Sequence, residues 1–329
     1  MLEYELEKSF ERVRDLLSAD KQLKVVLGVS GGCDSVVLLH LLWRFQERLN
    51  LEFVVAHFDH ALRETSFEDQ QFVRELAAKY RLPYFSSRAE SSPQTENIEH
   101  WARTKRYQFL TSVQDEIEAD LIATAHHAND EVETILFRMI TGRLAQSVYG
   151  IAEVDLNRSL IRPLLAVRRK EIESYAREHH LSFVTDETNF DLNYSRNFLR
   201  NKIIPEIEDH FELKLTTTIL NVSARLSEDE DYLWEEARKI FKLRNATSKH
   251  SGKTDREYFQ GIPQALRWRV LLLLAESDLG EVVFEVSAEN YKNLSDLVSE
   301  NGRFELDLGA KISAQFSPEL GLQFCFKNS

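Results

Sequence analysis

A doubly wound, Rossmann-like α/β fold with a parallel sheet, followed by a helical linker and a small α+β domain, is what this sequence predicts. Three observations carry that expectation. Short β-branched runs, apolar on both faces, alternate with helical patterns through the first half of the chain. The stretch KVVLGVSGGCDSVVLL (24–39) sets two glycines and an aspartate between an apolar strand and an apolar helix. Beyond about Phe211 the alternation gives way to one long helical pattern and then a mixed tail.

In chain order, MLEYELEKSFERVRDLL has the spacing of an amphipathic helix and lacks the basic start and cleavage site of a secretory leader. KVVLGV is a strand, followed by a helix from about Asp34. LEFVVAHF is a second strand, with a helix from about Ser66 to Lys79, and LIATAHH a third, with a helix from about Asn129 to Thr141. SLIRPLLAVRRKEIESYAREHHLSFVTD adds strand, helix and strand. SRNFLRNKIIPEIEDHF is a helix interrupted or ended around Pro205, because proline lacks the amide proton that a helix interior needs. Residues 213–245 form one long helix, with Leu220, Leu226, Leu233 and Ile240 at near-heptad spacing. In the tail, IPQALRWRVLLLLAES and SAENYKNLSDLVS are helical, and GRFELDLGAKISAQF and LGLQFCFK hold strands. The expected boundaries are a first domain over 1–212, a linker helix over 213–248 and a small α+β domain over 249–329.

Composition narrows the chemistry. With 329 residues, 43% hydrophobic and 29% charged, the chain has enough apolar material for more than one core, yet no apolar run approaches a membrane span. A cytoplasmic protein without a membrane partner is expected. Cys33 and Cys325 stand far apart and in no CxxC pair, which disfavours a disulfide framework, a cysteine-rich zinc site and cysteine-based sulfur chemistry. A net charge of -13 argues on its face against a polyanionic partner. Two basic groups keep one open: Arg238, Lys239, Lys242, Arg244, Lys249 and Lys253, and Arg162, Arg168, Arg169, Lys170 and Arg177. Either group is equally consistent with a solvated surface.

The glycine turn has the composition of an anion cradle. Gly31 and Gly32 permit positive φ and close approach of a ligand, so successive main-chain N–H groups between Ser30 and Ser35 can converge on a phosphate at the next helix's start. Ser30 and Ser35 add hydroxyls, and Cys33 is a small packing residue. Asp34 repels a phosphate by itself, which makes a bridging Mg²⁺ its natural partner. The bland alternative is a tight strand-to-helix turn capped by Asp34. Neither GxxxxGK[ST] nor GxGxxG is present.

SGGxDS resembles the signature of the PP-loop, or N-type, ATP pyrophosphatases, which split ATP into AMP and pyrophosphate and adenylate a substrate oxygen. Further segments are similar to the tRNA(Ile)-lysidine synthetase family: VVAHFDHALRETSFEDQQFVRELA (54–77), WARTKRYQFL (101–110), ATAHHANDEVETILFRMITG (123–142), LIRPLLAVRRKEIESYA (160–176) and SRNFLRNKIIPEI (195–207). The resemblance spans the N-terminal two-thirds in consistent order. It implies an ATP- and Mg²⁺-dependent ligase that attaches free L-lysine to C2 of the wobble cytidine in the CAU anticodon of tRNA(Ile), after adenylation of the cytosine O2. It makes 1–212 the PP-loop catalytic domain and 249–329 a tRNA-contacting domain, and it leaves room for a homodimer.

Residue by residue, the resemblance puts Arg103 and Arg106 beside the nucleotide; three apart on a helix, they share a face, and guanidinium forks suit phosphates. Asp130 and Glu133, also three apart, correspond to acids serving the lysine site, although a first-turn position alone would place carboxylates there for the helix dipole. Arg196 and Arg200, one turn apart, are each suited to the lysine carboxylate or a tRNA phosphate. His57, Asp59 and His60 end the second strand, where adenine or ribose contacts fall. His126 and His127, as adjacent strand residues, point to opposite faces and do not chelate one metal together. Asn129 departs from the family's paired aspartates and brings no charge. TGRLAQSVYGIAEV replaces a glycine-rich loop, and the family's further terminal domain has no counterpart here, so acceptor-stem recognition is expected to be organised differently.

Overall fold

The computed structural model describes residues 1–19, 21–62, 66–90, 98–141, 151–184, 192, 195–246, 252–279, 288–299, 303–309, 312–317 and 321–326. The departing loop TGRLAQSVYGIAEV lies mostly outside them, as do Lys249 and the last two residues of the strand expected in LSFVTD; its residues 181–184 are described and form no strand, which corrects that expectation. Two compact units are present, residues 1–134 with 150–216, and residues 135–149 with 217–329.

The first unit is built on a six-stranded sheet. In order come α1 (Leu2–Leu17), β1 (Leu23–Gly28), α2 (Cys33–Phe45), β2 (Leu51–Asp59), α3 (Ser66–Tyr80), β3 (Tyr84–Arg88), α4 (Ile98–Ile117), β4 (Leu121–Ala123), α5 (Ala128–Ile140), β5 (Val154–Asp155), β6 (Leu160–Ile161) and α6 (Arg169–Glu178). The strand order is β3-β2-β1-β4-β6-β5, parallel except for β5 against β6. The expected fold class is therefore the observed one.

Strand alternation sorts the two cores. Val25, Leu27, Phe53, Val55, Leu121 and Ala123 face one layer, where α1, α2, α3 and α6 pack, whereas Val26, Val54, Ala56, Ile122 and Leu160 face α4 through Leu110 and Val113. Period-two alternation with apolar residues on both sides is what a sheet covered on both faces requires. The order reverses beside β1: the chain leaves β1 toward β2 on one side, and β4 joins on the other. The ends of β1 and β4 therefore flank a crevice, the place where open α/β sheets bind ligands.

After α6 come α7 (Ser195–Phe198), a π-helical segment over Leu199–Ile203, and α8 (Ile204–His210). The interruption expected at Pro205 lies just upstream of it, since Pro205 itself sits in the first turn of α8, where its missing N–H is not needed.

In the second unit, α9 (Leu215–Ala246) supplies Leu233, Ala237 and Ile240 to a core shared with α10 (Gly252–Gly261), α11 (Gln264–Leu279), α12 (Ala288–Ser299) and the antiparallel strands β7 (Phe304–Gly309), β8 (Ile312–Ser317) and β9 (Gly321–Phe326). The near-heptad seam does not run the length of α9: Leu226 is exposed. Buried Arg269 lies 4.3 Å from the Trp268 ring centroid and pairs through both Nε and Nη2 with the carboxylate of Glu230. Glu230 comes from the acidic block of α9, so that block is partly an interior partner. Among the described residues no helix is long and apolar enough to cross a membrane.

Candidate functional site

A cavity of about 560 Å³ opens at the carboxyl ends of the strands in the first unit. Ser30, Gly32, Asp34, Ser35, His57, Arg103, Arg106, Asp130, Arg196 and Arg200 all line it, together with Asp59 and His60. Gly31, Cys33 and Glu133 do not. The loop after β1 and the start of α2 form one wall. The end of β2 forms another, and the loop after β4 leads into α5.

The glycine loop is braced from within. Gly31 has φ 95° and Gly32, the N-cap of α2, has φ -72°. Only the first thus needs the left-handed region. The N–H of Gly31 donates to Ser35 Oγ at 3.2 Å, that of Gly32 to Ser30 Oγ at 3.3 Å, and Ser35 Oγ donates to the Gly32 carbonyl at 2.9 Å. The serine hydroxyls thus take the two glycine N–H groups, and α2 begins without a side-chain cap. Its first-turn N–H groups are the anion-facing feature of this loop. Asp34 is not that cap; it stands inside the first turn. A Cβ on Gly31 would sit 3.4 Å from Val73 and in a strained backbone region, whereas on Gly32 it would meet only Ser30 Oγ at 3.5 Å. Gly31→Ala is expected to lower stability by about 1–3 kcal/mol and Gly32→Ala to leave it nearly unchanged. Thermal denaturation of the two variants checks this, and equal losses would contradict it.

Asp34 carries the clearest unmet demand. Its Oδ1 is buried with no hydrogen-bond partner, and Oδ2 lies 3.6 Å from His127 Nε2. Burial pushes its carboxyl above the ordinary range, while His127 and Arg169 pull it back and Asp130 pushes it further. An unpaired buried carboxylate oxygen beside a helix N-terminus fits a divalent cation, and no group of three or more ligating side chains encloses it among the described residues. A cation here would take most of its coordination from phosphate and water, as Mg²⁺ characteristically does.

At the start of α5, Arg200 is clamped by both acids of that helix. Its Nε donates to Glu133 Oε1 at 2.6 Å, and Nη2 donates to Glu133 Oε2 at 2.8 Å and to Asp130 Oδ1 at 3.0 Å. Burial pushes Glu133 up against the opposing pull of Arg200. For Asp130 burial alone would do the same, but His127, His126, Arg200 and the His127 main-chain N–H together hold its carboxyl below the ordinary range. Glu133 is fully enclosed behind Arg200, so the residue that meets the cavity here is Asp130.

Arg103 and Arg106 lie over Tyr107, 4.9 and 5.6 Å from its ring centroid. Burial brings Arg103 down to about 10, and Arg106 Nε is buried without a partner. The second basic group of the sequence is not one patch: Arg162 is interior and Arg169 pairs with Glu173 at 3.0 Å. Lys239, from the first group, pairs with Glu236 at 2.7 Å. Cys33 is held by burial at about 11, an inert thiol.

His57 donates from Nδ1 to the Val29 carbonyl at 2.9 Å, leaving Nε2 as a buried acceptor with no partner. His126 contacts Thr124 Oγ1 at 2.9 Å. Because β4 ends at Ala123, His126 and His127 are loop residues, which corrects their expected place on a strand. Burial lowers His57, lowers His126 strongly, and brings His40 and His60 to about 4. Depressed imidazoles mean that the unfolded chain binds more protons. The stability they contribute is complete above their ordinary value of 6.5 and is lost as pH falls toward about 4. The melting temperature should fall progressively below about pH 6.5; a profile flat down to pH 5 would contradict this.

Asn129 brings no charge but acts as a hydrogen-bond acceptor, its Oδ1 taking the main-chain N–H of Arg169 at 3.1 Å. It satisfies the first turn of α6 and ties it to the start of α5. An amide oxygen does this as well as a carboxylate. One contributor escapes sequence reasoning: His127, whose position between Asp34 and Asp130 depends on the loop after β4.

A model of the PP-loop domain family matches residues 4–207. Over 285 residues the chain is 34% identical to a tRNA(Ile)-lysidine synthase of Clostridium perfringens, covering 84% of this chain and 59% of that protein. To the tRNA(Ile)-lysidine synthase of Thermosipho africanus it is 38% identical over 224 residues, 66% of this chain and 52% of that one. The chain thus spans between about half and three-fifths of the length of these curated relatives. A U34-tRNA thiolase of Methanococcus maripaludis, solved with its iron–sulfur cluster, superposes with a TM-score of 0.54 at 18% identity, covering 69% of this chain and 80% of that one. At that identity the likeness concerns the fold alone.

Proposed function

Because the chain belongs to the PP-loop domain family, we propose that it uses ATP to join free lysine to C2 of the wobble cytidine of a CAU-anticodon isoleucine tRNA, through a cytidine adenylated at O2. The cavity carries this reading. It brings an anion-binding helix start with an unsatisfied Asp34 oxygen, and an Asp130–Arg200 pair backed by Glu133, into one space of about 560 Å³. A two-step ligation needs both: one end to hold a leaving diphosphate and one to hold an incoming amine.

In the proposed mechanism the first-turn N–H groups of α2 bind the departing phosphates, and Arg103 and Arg106 stabilise negative charge that moves during transfer to the base. Asp34 would hold Mg²⁺, which when bound neutralises phosphate charge. The nucleotide's sugar or base donates to His57 Nε2, the unmet acceptor at the end of β2. Adenylation turns the poor pyrimidine leaving group into a good one, and Asp130 orients the lysine ammonium for attack. Arg200 keeps Asp130 ionised and aimed, with Arg196 beside it on the same wall for an anionic group of lysine or RNA. The isolated single-stranded base is read by its Watson–Crick edge. The buried Cys33 thiol does not suit a sulfur-transfer role. Cytoplasmic location and a homodimer belong to this same proposal.

Incubation with ATP, Mg²⁺, labelled lysine and a CAU-anticodon tRNA tests it. Label should enter the RNA only with ATP present, with AMP and pyrophosphate released. ATP and RNA binding without transfer would point instead to a non-catalytic RNA- or nucleotide-binding protein.

A further inference from the structure

His127 belongs to none of the roles assigned above, yet it joins them. The ring is fully buried, at 1% exposure. Nε2 lies 3.6 Å from Asp34 Oδ2, and Nδ1 lies 3.3 Å from both the main-chain N and Oδ2 of Asp130. The His127 main-chain N–H donates to Asp130 Oδ2 at 3.0 Å. Its carbonyl accepts from the N–H groups of Asp130 and Glu131 at 3.0 and 3.3 Å. Backbone and ring are thus fixed by the first turn of α5, and the ring's far nitrogen is delivered to Asp34.

We propose that His127 is a positioning residue that orients the Asp34 carboxylate for a divalent cation and links that end of the cavity to Asp130. A carboxylate oxygen beside Nε2 requires the proton on that nitrogen. On the other side of the ring, Nδ1 lies at the same distance, 3.3 Å, from the main-chain N and Oδ2 of Asp130, so Asp130 anchors that edge and leaves Nε2 directed at Asp34. With Oδ2 engaged by the ring, Oδ1 is the oxygen left without a partner. At 3.6 Å the contact is an orienting one, short of a full hydrogen bond, and it has room to tighten when a cation draws Asp34 forward. Outer partners of this kind typically change metal affinity or activity by about 10–100-fold when removed.

The inference rests on the nucleotide reading of the cavity, so its test separates the two. Calorimetric ATP binding is measured across a Mg²⁺ titration for the wild-type chain, His127→Asn and His127→Gln. Asparagine keeps the acceptor near Asp130 but cannot reach Asp34, whereas glutamine can return an N–H to Asp34. His127→Asn should need about 10-fold more Mg²⁺ for the same ATP affinity, with His127→Gln close to wild type. A merely structural histidine would lower the melting temperature of both variants and leave the Mg²⁺ requirement unchanged, which overturns the proposal. Wild-type binding with unaltered Mg²⁺ dependence in His127→Asn sinks this inference alone; absence of ATP binding in the wild type sinks the nucleotide reading as well. Independently of whether a variant folds, the His127 Nε2 resonance of ¹⁵N-histidine-labelled wild type should shift with Mg²⁺ and ATP and not with ATP and EDTA. An unmoved resonance counts against the proposal.

Discussion

Asp34→Asn should cut ATP-dependent release of AMP and pyrophosphate by about a thousandfold while leaving RNA binding within a fewfold of wild type. The change is nearly isosteric. It removes the charge from an oxygen that is buried and unpaired. A cation at the phosphates provides several kcal/mol of transition-state stabilisation, and each 1.36 kcal/mol is a factor of about ten in rate. Nothing else among the described residues completes a metal site in its stead. The fold should be unharmed or even firmer, since burial already pushes this carboxyl toward its neutral form. Pyrophosphate release and filter binding of labelled tRNA, measured side by side, give the answer. Parallel loss of both would mean that Asp34 shapes the RNA-binding surface and has no specific part in phosphate chemistry.

Arg200→Met is expected to destabilise the first unit by about 3–5 kcal/mol, because removing one partner strands a buried charge. Glu133 would lose both hydrogen bonds from the guanidinium, at 2.6 and 2.8 Å, with its side chain only 1% exposed. The sign of the pH dependence follows. Burial already raises the folded carboxyl above its ordinary 4.5, and without Arg200 nothing comparable opposes it. The folded variant then holds a proton that the unfolded chain releases. Its stability is fullest below about 4.5 and declines as pH rises through the raised folded value. Against wild type, the deficit should therefore widen with increasing pH in urea denaturation. Glu133→Gln in the same chain should recover part of the loss, a coupling that a double-mutant cycle quantifies. Arg200→Lys should rescue poorly, since an ammonium cannot form the forked contact.

The parallel sheet was legible because its strands are apolar on both faces, and a chain of alternating strand and helix patterns has few other ways to bury them. Most cavity-lining positions were legible too, since they follow strands: the loop at 30–35 after β1, His57 at the end of β2, and the start of α5 after β4. What escaped was mutual geometry. Spacing put Asp130 and Glu133 on one helix face but could not reveal that Arg200, 70 and 67 residues away, closes on both. It made both glycines candidates for positive φ, whereas the turn uses only Gly31. The short β4 left His126 and His127 in a loop, where strand alternation no longer governs which way they point. In α9 the apolar spacing concealed the difference between Leu233, packed in a core, and Leu226, exposed.

The wide turn at Leu199–Ile203 has a consequence for how this chain tolerates change in length. A π turn accommodates an additional residue within a helix. Deleting one residue there would let the helix continue as an unbroken α-helix, which local energetics favour. It would leave Ser195–Phe198 facing nearly as before relative to Ile204–His210, because the wide turn has already absorbed the angular step of one residue, about 100°. Arg196 would keep its place on the cavity wall. The irregular turn stores one spare residue between an anchored helix and the side chains it presents, and a deletion that straightened the helix would not misalign them.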